Sequence, residues 1–162
     1  MDQFVSSWHF LYNAFQTKKE LEEWFDQFCR GFHIFGPFWD HILGFWKASL
    51  ERPQKVLFIK YEDLKSDVLS QVKQLAEFLG FPFSEEEEKQ GLIEEIAKLC
   101  SIENMKGLKC NMDGRRSFGA THSSFFRKGV VGDWKNHLTP SMVERMKKIM
   151  QEKFEESGLQ IS

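Results

Sequence analysis

Lys55-Val56-Leu57-Phe58-Ile59-Lys60-Tyr61 is the stretch that decides the fold class. It is a short apolar run bounded by Pro53 and by the acidic pair Glu62 and Asp63, suited to a strand buried in a parallel sheet. The carboxyl end of such a strand is a natural place for ligand contacts. Asp63 can cap a helix that follows to Leu79, with Leu64, Val68, Leu69, Val72, Leu75, Ala76 and Leu79 as its apolar face and Gly80 as its end. One strand with several helices makes the chain α/β. One strand cannot form a sheet, so its partners must come from elsewhere.

Upstream, Phe4-Val5-Ser6-Ser7-Trp8-His9-Phe10-Leu11 opens in mid-pattern, with no leading loop or helix cap, as a truncated start would. Residues 18 to 33 carry Leu21, Trp24, Phe25 and Phe28 at helical spacing, with Lys18, Lys19, Glu20, Glu22 and Glu23 on the exposed side. Gly31 or Gly36-Pro37 ends or bends this helix. A second helix runs from Pro37 to about Leu50 with Phe38, Ile42, Phe45 and Trp46 inward. Downstream, Glu85 to Glu88 start a helix, because carboxylates favour the amino end, and residues 91 to 99 continue as a helix. A last helix spans Pro140 to about Glu156 and buries Met142, Met146, Ile149, Met150 and Phe154. Residues 104 to 138, with Gly107, Gly114, Gly119, Gly129, Gly132, Arg115, Arg116, Arg127 and Lys128, read as a long connection, which in a compact domain binds something or orders on binding.

The chain has 162 residues, 41% hydrophobic and 28% charged, with a formal net charge of -2, as expected of one soluble globular domain. No apolar run approaches the roughly 20 residues needed to cross a bilayer, which argues against a membrane protein. The near-neutral balance argues against a nucleic-acid binder. Cys29, Cys100 and Cys110 lack CxxC spacing and cannot all pair, so the expectation is free thiols in a reducing, cytoplasmic compartment. His9, His33, His41, His122 and His137 form no metal-binding spacing, and no metal is expected.

The strongest chemical constellation is Phe125-Phe126-Arg127-Lys128-Gly129-Val130-Val131-Gly132-Asp133-Trp134-Lys135. Arginine and lysine beside a glycine offer a guanidinium fork, an ammonium and an unobstructed backbone N–H to one phosphate. An ordinary exposed basic turn accounts equally well for the same residues. The glycines stand too close together for a phosphate loop of the GxxxxGK class, and the GxGxxG fingerprint is absent. Tyr61 can stack on a ligand or simply end the strand. Ser6 and Ser7 can donate to a phosphate or serve local structure, and Cys100 can face a ligand or be structural. No nucleophile motif or carboxylate pair is present, and no residue is assigned to catalysis.

Taken together, Phe4 to Phe10, Gly36-Pro37-Phe38-Trp39-Asp40-His41, Tyr61-Glu62-Asp63-Leu64 and Arg127-Lys128-Gly129-Val130-Val131-Gly132-Asp133-Trp134-Lys135-Asn136 resemble the cytosolic sulfotransferases, most of all the plant flavonol and hydroxy-compound branch. The resemblance implies that residues 1–162 are the carboxyl-terminal part of a single sulfotransferase domain, a partial P-loop-like fold whose parallel sheet is mostly missing while its surrounding helices remain. It implies sulfuryl transfer from 3′-phosphoadenosine 5′-phosphosulfate (PAPS) to a hydroxyl of a small acceptor such as a flavonoid or steroid, with 3′-phosphoadenosine 5′-phosphate (PAP) as product.

By that likeness Ser6 and Arg127 hold the 3′-phosphate, with Lys128 and the Gly129 N–H completing the pocket. Tyr61 and the Cys100-Ser101-Ile102 stretch meet the adenine, while Phe125 and Phe126 lie beside the nucleotide. Lys135 to Glu144 resembles the family's dimerisation motif, with Pro140 in place of its usual valine, which implies a homodimer. The 5′-phosphosulfate cradle and the catalytic histidine would lie ahead of Met1, so the chain alone is expected to be inactive. The alternatives are a noncatalytic nucleotide-binding or dimerisation fragment and a nonfunctional remnant.

Overall fold

The structure, a computed structural model, describes residues 1–15, 20–33, 36–115 and 120–160. In chain order the helices are α1 (Asp2–Phe15), α2 (Leu21–Cys29), α3 (Phe38–Glu51), α4 (Tyr61–Ser66), α5 (Val68–Phe78), α6 (Glu85–Lys89), α7 (Leu92–Leu99), α8 (Ile102–Gly107), α9 (Lys109–Met112) and α10 (Pro140–Phe154). Short 3-10 turns occupy His122–Phe125, Asp133–Asn136 and Glu155–Ser157. Two units result: Met1–Val56 with Gly132–Ser162, and Leu57–Val131.

The first unit is held by an aromatic core. Phe4 and Val5 of α1 are buried with Phe25, Phe28 and Cys29 of α2 and with Leu138, Met142 and Met146. The Phe4 ring meets Phe25 edge-on at 5.4 Å and lies 4.8 Å from Phe28, which stacks on Phe38 at 4.5 Å. Such pairs add about 0.5–1.5 kcal/mol each beyond the area they bury. Thr139 caps α10 by accepting from the Met142 N–H, and Pro140 occupies the first turn, where its missing N–H costs nothing. The expected stripe of α10 is largely in place: Met142, Met146 and Phe154 are buried, and Ile149 and Met150 pack partly buried against the core. Burial pushes the Cys29 thiol up to about 11, and the Arg145 guanidinium only partly offsets this. On α3, Trp46 Nε1 donates to the Ser157 carbonyl at 2.9 Å. Phe45 departs from the expected inward set: it is 53% exposed, its ring edge against His41.

In the second unit, local chemistry sets most helix ends. Ser84 and Glu87 form a capping box: the Glu87 N–H donates to Ser84 Oγ, and the Ser84 N–H donates to Glu87 Oε2 at 2.8 Å. The Ser84 backbone N–H and the Ser84 hydroxyl, both donating to Glu87 Oε2, hold the Glu87 carboxyl below its usual range. Gly80, at φ +81, closes α5 with the Phe81 N–H donating to the Ala76 carbonyl, the Schellman arrangement.

Two expectations are corrected here. The helix read from Asp63 to Leu79 is two helices, because the backbone turns at Asp67 (φ -146), whose carboxylate accepts from the Ser70 N–H at 3.1 Å. Asp67, not Asp63, is the cap, and hydrogen bonds from the Ser70 side chain and backbone hold its carboxyl low. The strand read at residues 55 to 61 is not formed. Residues 56–60 lie outside helix and strand, and Tyr61 begins α4. A strand exists only within a ladder of inter-strand hydrogen bonds. Among the described residues the one β pairing is an isolated antiparallel bridge between Arg115 and Thr121, so the α/β sheet is absent there. The segment 104–138 is more ordered than read, containing most of α8, all of α9 and two 3-10 turns. Lys18, Lys19, Arg116 and Gly119 lie outside the described residues.

Candidate nucleotide-binding residues

Ser6 sits in the second turn of α1, exposed, immediately after buried Val5, and belongs to the first unit. Tyr61, the 100–102 stretch and residues 125 to 129 belong to the second unit. Tyr61 opens α4 rather than ending a strand, and its side chain is exposed. Cys100 is the exposed C-cap of α7, and Ser101 is the N-cap of α8, its hydroxyl accepting from the Asn104 N–H at 3.2 Å. Asn104 Nδ2 donates back to the Leu99 carbonyl at 2.7 Å. The 100–102 stretch is therefore a tied corner between two helices, and it fixes the direction in which Ile102 projects.

Ile102 meets Gly129 at this corner. Gly129 has φ +64, a left-handed backbone that side chains disfavour, and a Cβ there would overlap Ile102 Cδ1 and stand 3.2 Å from its Cγ1. Two residues 27 positions apart are thus brought into contact, on the turn that also carries half-buried Arg127 and exposed Lys128. Phe125 ends a 3-10 turn and is exposed, whereas Phe126 is half-buried. That turn is pinned by Thr121, whose carbonyl accepts from the Ser124 hydroxyl at 2.6 Å.

A contact that sequence reading did not find involves Asp2. Its carboxylate accepts from the Gly132 N–H at 2.7 Å and from the Trp134 N–H at 2.9 Å, fastening the first turn of α1 to the Gly-Asp-Trp-Lys segment. Next to it, buried Asp133 accepts from Asn136 Nδ2 at 3.1 Å and lies 3.1 Å from His137 Nε2. Nothing in the sequence reading assigned Asp2 a role, because its two partners lie 130 and 132 positions away. A shallow groove of about 460 Å³ follows, lined by Trp134, Lys135, Leu138, Pro140, Val143, Glu144 and Lys147. It coincides with the Lys135 to Glu144 stretch. Among the described residues no group of three or more His, Cys, Asp or Glu side chains is arranged to hold a metal ion, and no helix is long and apolar enough to cross a membrane.

Arg127, Lys128 and left-handed Gly129 stand consecutively between the 3-10 turns His122–Phe125 and Asp133–Asn136. The family follows from comparison: the sequence matches the Sulfotransferase domain family over residues 1–158, and the chain belongs to that family. It is 49% identical over 162 residues to cytosolic sulfotransferase 5 of Arabidopsis thaliana, covering 98% of this chain and 50% of that one. It is 49% identical over 162 residues to a flavonol sulfotransferase-like protein of Flaveria bidentis, covering 98% and 52%. The crystal structure of a mouse sulfotransferase complexed with PAP matches with a TM-score of 0.80 and 28% identity, over 96% of this chain and 56% of that one. The chain spans about half the length of these relatives.

Proposed function

We propose that residues 1–162, as the carboxyl-terminal part of a sulfotransferase domain, supply the 3′-phosphate grip of a nucleotide site serving cytosolic sulfuryl transfer. The donor is PAPS, the acceptor a hydroxyl of a small molecule of the flavonol or steroid kind, and the product nucleotide PAP. The observation that carries this reading is the Ile102–Gly129 contact. It brings together two of the residues implicated in nucleotide binding, and the glycine, in a left-handed conformation, directly follows Arg127 and Lys128. Arg127 and the Ser6 hydroxyl bind the 3′-phosphate, with Lys128 and the Gly129 N–H adding a charge and a donor. Tyr61 and the Cys100-Ser101-Ile102 corner face the adenine, and Phe125 and Phe126 flank the nucleotide. The Ser101 hydroxyl accepts the Asn104 N–H as a helix cap and keeps its O–H as a donor.

Sulfuryl transfer also needs an acceptor base and cations on the leaving phosphate, and neither role is assigned to these residues. The reading is therefore binding without turnover by the chain alone. Titration calorimetry with PAP tests it: the chain binds PAP, Arg127→Ala weakens binding at least about tenfold, about 1.4 kcal/mol, and PAPS with a flavonol yields no sulfated product. Absence of PAP binding overturns the nucleotide reading, and product formation overturns the noncatalytic one.

The groove along Lys135 to Glu144 favours a homodimer as a second role. Light scattering on wild type and Val143→Glu tests it. A single monomeric species in both refutes the dimer.

A further inference from the structure

Asp2 makes a contact that anchoring α1 does not require. That helix is already held by Phe4 and Val5, both buried, with the Phe4 ring against Phe25 and Phe28. The Asp2 carboxylate takes two backbone donors at once: Oδ2 accepts from the Gly132 N–H at 2.7 Å and Oδ1 from the Trp134 N–H at 2.9 Å. Gly132 is left-handed at φ +88, a conformation that helps turn nearby N–H groups toward one anion, and here the anion is internal. Bonds of this charge-assisted kind are roughly twice as strong as neutral ones. The segment they grip is ordered in its own right, since buried Asp133 accepts from Asn136 Nδ2 and lies 3.1 Å from His137 Nε2.

Both ends of the clasp lie next to residues assigned to the 3′-phosphate. Gly132 opens the second segment of the first unit and follows Gly129 by three positions. Ser6 stands four residues after Asp2, one turn along the same face of α1, because positions i and i+4 of a helix share a face. Asp2 therefore ties the chain that leaves the Arg127-Lys128-Gly129 turn to the helix face that carries Ser6. An anion already engaged by two N–H groups does not itself serve a phosphate.

We infer that Asp2 is a positioning residue of the nucleotide site, bringing the Ser6 hydroxyl into register with the Arg127 turn for a single 3′-phosphate. This rests on the nucleotide reading above.

Titration calorimetry with PAP on the 162-residue chain tests it. Asp2→Asn keeps the size of the side chain and one acceptor but sets an amide NH2 against the other N–H, and it is expected to weaken PAP binding about tenfold. Ser6→Ala is expected to cost about tenfold in the wild-type background and less than about twofold beside Asp2→Asn, because a hydroxyl no longer held at the phosphate contributes nothing to lose. Arg127→Ala costs about the same in both backgrounds, since the Ile102–Gly129 contact still holds its turn. A merely structural Asp2 would lower stability without erasing the Ser6 effect. Ser84→Ala, which removes the α6 cap, controls for lost stability and leaves the affinity within about twofold of wild type.

If circular dichroism shows that Asp2→Asn does not fold, hydrogen exchange on the wild-type chain takes its place. Coupling is reciprocal, so PAP is expected to slow exchange of the Gly132 and Trp134 amides about tenfold. Unchanged PAP affinity in Asp2→Asn, equal Ser6→Ala penalties in both backgrounds, or unchanged exchange at those two amides overturns the positioning role and leaves the nucleotide reading standing. No PAP binding by the wild-type chain overturns the nucleotide reading and the positioning role with it.

Discussion

Gly129→Ala probes the contact on which the functional reading depends. At φ +64 an alanine bears the left-handed penalty of roughly 1–2 kcal/mol. Its Cβ also overlaps Ile102 Cδ1. That atom is the end of a flexible side chain, so the overlap is relieved by rotating χ2 away from its well, at about 0.5–1.5 kcal/mol. The stiffer unfolded chain returns about 0.4–1 kcal/mol. The net loss is about 2 kcal/mol, or about a 1 M fall in urea midpoint for a slope of about 2 kcal/mol/M. The assay is urea unfolding of wild type, Gly129→Ala, Ile102→Ala and the double variant. With the isoleucine truncated, the overlap disappears and only the backbone part remains, so Gly129→Ala then costs about 1 kcal/mol and the cycle shows a coupling of about 1 kcal/mol. Equal penalties in both backgrounds would refute the contact. A penalty below about 0.5 kcal/mol in the wild-type background would refute the left-handed conformation as well.

Asp2→Ala removes two charge-assisted hydrogen bonds and is expected to cost about 3 kcal/mol by urea unfolding. Asp26→Ala, which breaks an exposed pair with Arg145, is expected to cost no more than about 1 kcal/mol, and equal effects would sink the argument. Cys100 and Cys110 are exposed and react at once with a thiol reagent at pH 8, whereas buried Cys29 reacts only on unfolding. Because the folded Cys29 pKa lies above its unfolded value of 9.0, its stabilising effect is complete below pH 9 and lost as pH rises towards about 11. Cys29→Ala flattens that alkaline limb, and an unchanged limb contradicts the assignment. Burial and the neighbouring His41 lower the His33 pKa below 6.5, so its contribution is full above pH 6.5 and lost as pH falls through the folded value. His33→Phe keeps a ring against Trp24 and Phe28 and is expected to reduce the drop in urea midpoint between pH 7.5 and 5, whereas an identical drop refutes it.

What the sequence by itself determined was chiefly local. Gly80 as a helix end, Glu85 to Glu88 as a helix start and Pro140 as the start of α10 were legible, because such signals act within a few residues along the chain, while the Ser84 and Thr139 caps beside them went unread. The stripe of α10 and the burial of Phe25 and Phe28 were legible for the same reason, since helical periodicity repeats within a few residues. Even locally, two candidate caps four residues apart misled: Asp63 was read where Asp67 turns the chain. The family too was legible, because its motifs survive as ordered local words along the chain.

Tertiary structure alone decided the rest. The clasp from Asp2 to Gly132 and Trp134, the bond from Trp46 to Ser157 and the Ile102–Gly129 contact each join positions far apart in the chain, and no local pattern encodes such pairing. The same limit explains the strand. Residues 55 to 61 have the composition of a buried strand, but a strand is a relation between segments, and with no second segment among the described residues to share its hydrogen bonds, the run 56–60 leads into α4 outside helix and strand.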